Sequence, residues 1–328
     1  MNNRRRFLVA LGAATLALPF DAFPGTPAAG IHRIGFLGVA SATATEPRLD
    51  ALRADLRELG YVEGNNLAIE YRFADGKYER LAELAAELAR MKVDVIVTHS
   101  NVGARAAKQA TTTIPIVVAT AGDLETTGLV NSLARPGGNI TGSSIFSSDI
   151  GPKHLEILKE SVPRIKRVAY LMNPNSDLAV SNLRELRVSV KLLKVEVQPF
   201  EVSSPNQIES AFAAMSKQGI DSVLIQEEPM LFVNAKSVAT QAATYRIPSI
   251  GFASLAEAGG LIGYGASATH LFRRAAVFVD KILKGANPSD LPIERAMTFD
   301  LVINLKTAKG LGIKLPQTLF LRADRVIE

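Results

Sequence analysis

The sequence predicts an α/β fold of doubly wound parallel sheets, and three observations carry that prediction. Short β-branched and apolar runs alternate with stretches of helical periodicity along most of the chain. Several runs, among them Val93-Asp-Val-Ile-Val97 and Pro115-Ile-Val-Val118, are almost continuously apolar, the pattern of strands buried on both faces. The same order of elements restarts in the second half, so two similar α/β halves are the simplest reading.

Ile34-Gly-Phe-Leu37 reads as the first buried strand. Leu49, Leu52, Leu56 and Leu59 then recur at helical spacing, and Gly60 stops that helix. Leu67, Ile69 and Tyr71 alternate as a strand, and Leu81, Leu84, Leu88 and Met91 form the next helix face. In the second half, Val168-Ala-Tyr-Leu-Met172 echoes the first strand and Asp221-Ser-Val-Leu-Ile225 echoes Asp94-Val-Ile-Val97. Ile114-Pro115 and Ile247-Pro248 start matching strands in the two halves. Arg135-Pro-Gly-Gly-Asn-Ile-Thr-Gly-Ser-Ser144 is read as the first crossing between halves, its glycines allowing unusual backbone angles. Gly259 to Tyr264 resumes a strand, Leu271, Ala275, Phe278 and Ile282 mark a long helix, and Thr298 to Ile303 is a last strand. These late elements predict a chain that recrosses to the first half and returns to the second. The expected division is residues 31–142 with 257–287 as one lobe, and 143–256 with 288–328 as the other.

The N-terminus reads as an export signal over residues 1–30. Asn3-Arg4-Arg5, any residue, then Phe7-Leu8 resembles a twin-arginine leader, and the apolar stretch to Phe20 is too short to span a bilayer. An extracytoplasmic, periplasmic location follows. The chain carries 37 Lys and Arg against 32 Asp and Glu, spread without a basic block or interleaved aromatics, which argues against nucleic acid as a partner. With no cysteine it has no thiolate nucleophile, Cys metal site, disulfide or lipid-anchored thiol. The four histidines are far apart in sequence and are expected on surfaces or loops, so neither a metal nor another cofactor is predicted.

Enzyme signatures are missing: there is no nucleophile elbow, no phosphate-binding P-loop and no dinucleotide fingerprint after the first strand. No catalytic residue is therefore assigned. Open α/β sheets bind ligands at the carboxyl ends of their strands. In the first half these ends carry Ser41, Ser100, Asn101 and Asp123; a hydroxyl or amide beside free helix N–H groups suits a carboxylate, and also suits ordinary helix capping. In the second half they carry Asn173, Glu227-Glu228 and Phe252, with Tyr264 on the following strand. Carboxylates directly after an apolar strand are costly without a cation or several donors. One of the two suits an ammonium, with Glu228 assigned, although an exposed pair at a helix start explains them equally. Adjacent residues on extended backbone point to opposite faces, which argues against a paired acid and base. Phe252 and Tyr264 suit stacking on a ring, or a place in the core.

Longer stretches carry a family resemblance: Gly60-Tyr-Val-Glu-Gly-Asn-Asn66, Thr113-Ile-Pro-Ile-Val117, Gly128 through Gly142, Val279 through Ala286, Phe299 through Lys309 and Arg322 through Glu328. From about Ile31 onward the chain resembles the periplasmic substrate-binding proteins of ABC transporters of the tryptophan/tyrosine type. The resemblance implies a type I periplasmic-binding fold: two lobes, three crossings and a ligand cleft between them. It also implies lobe closure over a small solute, an amino acid or an aromatic or carboxylate-bearing compound, and delivery to a membrane permease without any bond being made or broken. Three positions depart from the family pattern: Leu124 and Ala266 stand where Pro is usual, and Glu228 stands where many members have Asp. The competing readings are a ligand-binding sensory receptor subunit and an exported α/β hydrolase.

Overall fold

The computed structural model of the chain describes residues 30–145, 147–176 and 178–328; the leader expected over 1–30 lies outside them, apart from Gly30. The first sheet opens with β1 (His32–Gly38), β2 (Leu67–Phe73), β3 (Val95–Thr98), β4 (Ile116–Ala121) and β5 (Ile140–Ser144). The second opens with β6 (Arg167–Met172), β7 (Glu196–Glu201), β8 (Ser222–Ile225), β9 (Ser249–Gly251) and β10 (Ile262–Ala266). The short β11 (Glu294–Arg295) returns to the first sheet, and β12 (Phe299–Asn304) and β13 (Arg325–Ile327) complete the second.

Both sheets follow one pattern. The orders are β2-β1-β3-β4-β5-β11 and β7-β6-β8-β9-β10-β12-β13, so each runs second, first, third, fourth, fifth. All pairings are parallel except β10 with β12. In such sheets the order reverses between the first and third strands, which leaves a crevice at their carboxyl ends. Here those positions lie beyond β1 and β3, and beyond β6 and β8.

Each sheet is buried on both faces, as the apolar runs require. On the first, Ile34, Phe36, Val95 and Val117 pack with Leu49, Leu52, Leu56, Phe272 and Phe278 on one side. Leu37, Ile96 and Val118 pack with Leu81, Leu84, Leu88 and Ala104 on the other. In the second sheet Val168, Tyr170 and Leu224 face Leu155, Leu158 and Leu186, while Ala169, Leu171 and Val223 face Ile208, Phe212 and Met215.

The chain passes between sheets three times, and the three passages lie side by side. Ala296 N–H donates to Ser144 C=O at 3.0 Å, and Ser267 N–H donates to Thr298 C=O at 3.0 Å. Ile145, Ala266 and Ala296, one from each passage, share a small apolar cluster with Ile150 and Leu271. The structure moves the expected crossing points. Ile140–Ser144 is a strand of the first sheet, so the chain leaves after Ser144 and not along 135–144. Ile262–Ala266 pairs with β9 and β12, so this part of 257–287 belongs to the second sheet, and the helix Ala268–Leu283 alone returns to the first. Glu294–Arg295, expected in the second lobe, pairs with β5. The apolar pattern marks a strand but does not say which sheet edge it completes; backbone pairing decides that. Gly142 shows one such fit: it sits at φ 130°, and a Cβ there would fall 2.1 Å from the Val118 carbonyl oxygen.

Candidate functional site

The carboxyl ends of the two sheets face each other across a cleft of about 650 Å³, which both lobes line. From the first lobe come Lys77, Tyr78, Asn101 and Val102; from the second come Asn173, Ser176, Glu228 and Met230.

On the first lobe, most of the expected polar groups are occupied locally. Ser41 Oγ caps the helix Ala42–Glu58 by accepting from Ala44 N–H at 3.3 Å. Ser100 opens the helix Ser100–Ala110 with φ 63°, an uncommon angle for a residue with a side chain, and its Oγ accepts from Gly103 N–H. Asp123 accepts from Glu125 N–H, Thr126 N–H and Thr126 Oγ–H, which orders its own turn. Asn101 fastens two strand ends together: its Oδ1 accepts from Gly122 N–H at 2.8 Å and its Nδ2 donates to Thr127 Oγ1 at 3.1 Å. Of these four residues, Asn101 lines the cleft.

On the second lobe Glu228 is the centre of a network. It is 3% exposed and caps the helix Pro229–Val233, its Oε2 accepting from Leu231 N–H at 3.1 Å. Its Oε1 accepts from Asn173 Nδ2 at 3.0 Å and from the Tyr78 hydroxyl at 2.8 Å, the latter reaching across from the other lobe. Asn173 is fixed in turn by Gln226, whose Oε1 accepts the Asn173 N–H at 2.9 Å. Burial pushes the Glu228 carboxyl above its usual range, against the pull of these donors, and burial beside Glu228 pushes the Tyr78 phenol up as well.

Glu227 points the other way, as adjacent residues on extended backbone must; Glu228 sits at φ −145°, ψ 139°. Its carboxyl is pushed up to about 7 by burial, and the Arg48 guanidinium opposes that rise. Arg48 belongs to the helix Ala42–Glu58 of the first lobe, and its guanidinium lies 5.5 Å from the Phe232 ring centroid of the second. A close approach of backbone to side chain occurs at Gly122, where a Cβ would lie 2.4 Å from Leu178 Cδ1 of the opposite lobe.

The two expected aromatics do not line the large cleft. Phe252 is 1% exposed and lies in the core behind Phe232, with ring centroids 3.8 Å apart. Tyr264 lies on the side of the crossings, stacked on Phe299 at 5.7 Å and edge-on to His154 at 5.9 Å. The histidine expectation needs correcting too: His99 and His154 are buried. The reason is backbone satisfaction, since His99 Nε2 accepts from Val39 N–H at 3.0 Å and His154 Nε2 bonds the Tyr264 carbonyl. Burial holds both neutral, with protonation lowered to about 3 and about 4.

Sequence reading missed Tyr78 and Arg48. Tyr78 follows the Asp75-Gly76 turn after β2, a fourth strand end that the same rule would have flagged. Arg48 is a lone cation on a helix read only for its leucines. Among the described residues no cluster of three or more His, Asp and Glu could hold a metal ion, and no helix is long and apolar enough to cross a membrane.

The sequence matches the ABC transporter substrate binding protein family over residues 34–327, and the chain belongs to that family. It is 27% identical over 263 residues to a tyrosine-binding protein of Clostridioides difficile, covering 79% of this chain and 74% of that one. Its fold matches a conserved domain protein of Vibrio cholerae at 27% identity and TM-score 0.84, over 90% of this chain and 99% of the other. It also matches an ABC domain from Streptococcus pneumonia in complex with L-Trp, at 25% identity and TM-score 0.82, over 90% and 100% of the two chains. The two parallel-sheet lobes have the type I periplasmic-binding architecture expected from the sequence.

Proposed function

We propose that the protein is the extracytoplasmic solute receptor of an ABC importer, that it takes an α-amino acid with a large side chain, and that it delivers it to a membrane permease. The observation that carries this is the Tyr78–Glu228 hydrogen bond, which spans a cleft of about 650 Å³ from one lobe to the other. A solute between the lobes would contact both, so it would favour the closed arrangement by the difference between its affinities for closed and open forms. The amino-acid class is supported by the tyrosine-binding relative and by the L-Trp complex. In this reading Asn101 and the helix that Ser100 begins receive the carboxylate, with Ser41 and Asp123 holding the neighbouring loops. Asn173 and Glu228 hold the second wall, Phe252 backs Phe232, and Tyr264 stands at the hinge. The chain acts by binding and carries out no reaction. The Arg4-Arg5 leader would direct its export.

The test is mass spectrometry of small molecules released from the denatured protein, followed by calorimetric titration of standard L-amino acids. Micromolar or tighter binding of an aromatic L-amino acid, recovered unchanged, is expected. Absence of binding by every L-amino acid would overturn the reading.

A further inference from the structure

Beside the large cleft lies a second, smaller recess of about 60 Å³, walled by Tyr170, Leu178, Asn182, Gln226 and Glu227 and bounded by Gly122 of the first lobe. It has room for a few water-sized atoms and not for a ring. Two of its buried polar atoms have no partner among the described residues.

Gln226 is 1% exposed. Its Oε1 is used by Asn173 N–H, so the amide nitrogen must turn elsewhere, and that buried Nε2 meets no acceptor among the described residues. Asn182 Oδ1 is likewise buried without a donor among them. The Glu227 carboxyl lines the same recess and has the Arg48 guanidinium acting on it, whereas its neighbour Glu228 accepts three hydrogen bonds. A native fold leaves few buried polar atoms unpaired, because each forfeits its hydration. Two such atoms beside a carboxyl in one recess point to a guest.

Their chemistry is specific. The recess offers two acceptors, Asn182 Oδ1 and the Glu227 carboxyl, and one amide donor, Gln226 Nε2. A phosphate or sulfate would meet the carboxylate as a like charge, and an alkyl group would leave Asn182 Oδ1 and Gln226 Nε2 unpaired. A primary ammonium satisfies Glu227 and Asn182 Oδ1 with its N–H groups, and in an α-amino acid a carboxylate oxygen, on the carbon next to the amine-bearing one, satisfies Gln226 Nε2.

We infer that this recess seats the protonated primary amine of the solute, with Glu227, not Glu228, as its counter-charge. Glu228 is the residue that shapes the cleft wall and bridges to Tyr78. The inference rests on the reading of the protein as a solute receptor. It deepens that reading by placing the solute's amine in the recess and leaving the large cleft for the rest of the molecule.

The experiment is calorimetric titration of L-tyrosine, L-tryptophan, tyramine and 3-(4-hydroxyphenyl)propionate into the parent protein, Glu227→Gln and Asn182→Leu. Circular dichroism confirms that each variant is folded. Glu227→Gln should weaken L-tyrosine or L-tryptophan by at least about 30-fold, the low end for removing one partner of a buried charge pair. Asn182→Leu should weaken it less, and carries the test if the Gln variant does not fold. The des-amino propionate should bind the parent and Glu227→Gln alike. If an aromatic amino acid binds the parent and both variants within threefold, the recess assignment is overturned while the receptor reading stands. If tyramine binds in a Glu227-dependent way and neither amino acid binds, the recess stands and the amino-acid reading falls. If no amine in the set binds, both are overturned.

Discussion

The Tyr78 hydroxyl, on the first lobe, donates to Glu228 Oε1, on the second, at 2.8 Å. One hydrogen bond therefore joins the two lobes across the cleft, and its acceptor is a buried carboxylate already held by Asn173 and a helix N-terminus.

Tyr78→Phe should loosen closure without unfolding either lobe. A hydrogen bond to a charged group contributes about 1.5–3 kcal/mol, so the ratio of closed to open forms should fall roughly 10- to 150-fold. The chain has no cysteine, so single cysteines placed at exposed Glu83 and Lys217 can carry spin labels for interlobe distance measurement. A distance distribution identical to that of the parent would show that the bond does not bias closure.

Gly122 sits at a close approach of the two lobes. Ala there would place its Cβ 2.4 Å from Leu178 Cδ1 and 3.2 Å from Asn101 Oδ1. Overpacking of this kind costs about 1–3 kcal/mol. In Gly122→Ala the cost should fall on the closed form, so solute affinity drops while thermal stability without solute barely changes. Leu178→Ala in the same chain should restore much of the affinity, a coupling that a double-mutant cycle measures. Additive effects of the two changes would count against the contact.

His99 and His154 should titrate in opposite tautomers and far below the usual imidazole range. His99 Nε2 accepts a backbone N–H, so its proton is on Nδ1; His154 Nε2 faces a carbonyl oxygen, so its proton is there. Long-range proton–nitrogen spectra at pH 6 read both directly. Both groups stay neutral in the fold down to about 3 and about 4 but charge in the unfolded chain below its ordinary value. Stability from this source is thus complete above about pH 6.5 and is lost as pH falls toward those lower values. At pH 5 each should cost about 2 kcal/mol relative to pH 7.5. Denaturant titrations showing a flat profile between those pH values would refute it.

Phe272 lies at 0% exposure on the helix Ala268–Leu283, against Phe36 of β1 at 6.3 Å between centroids. Phe272→Ala should destabilise the protein by about 3–5 kcal/mol in urea titration. A loss under 1 kcal/mol would mean that this helix contributes little to the first lobe.

The doubly wound pattern was legible because strands buried on both faces, such as Val95–Thr98 and Ile116–Ala121, leave a nearly continuous apolar record. Of the residues that the strand-end rule names, Asn101, Asn173 and Glu228 line the cleft. Other features were not legible. The pairing of β10 with β12 joins residues 33 to 41 apart, which no local period encodes. Glu227 and Glu228 are the same residue type side by side, and their roles diverge only because the extended backbone turns one toward Tyr78 and the other toward Arg48. Phe252 read as a cleft aromatic because an exposed ring and a core ring look alike in sequence.

The three side-by-side passages have a consequence for synthesis. The face of the first sheet around Ile34 and Phe36 is covered in part by the helix Ala42–Glu58, but its cover is completed only by the helix Ala268–Leu283, made after most of the second lobe, and β12 and β13 come later still. Neither lobe can be finished in the order in which it is translated, although each begins as a plain run of β-α-β units. The emerging chain must therefore carry a half-covered apolar sheet for most of its elongation, a state that invites capture by a holding chaperone until the last strands arrive.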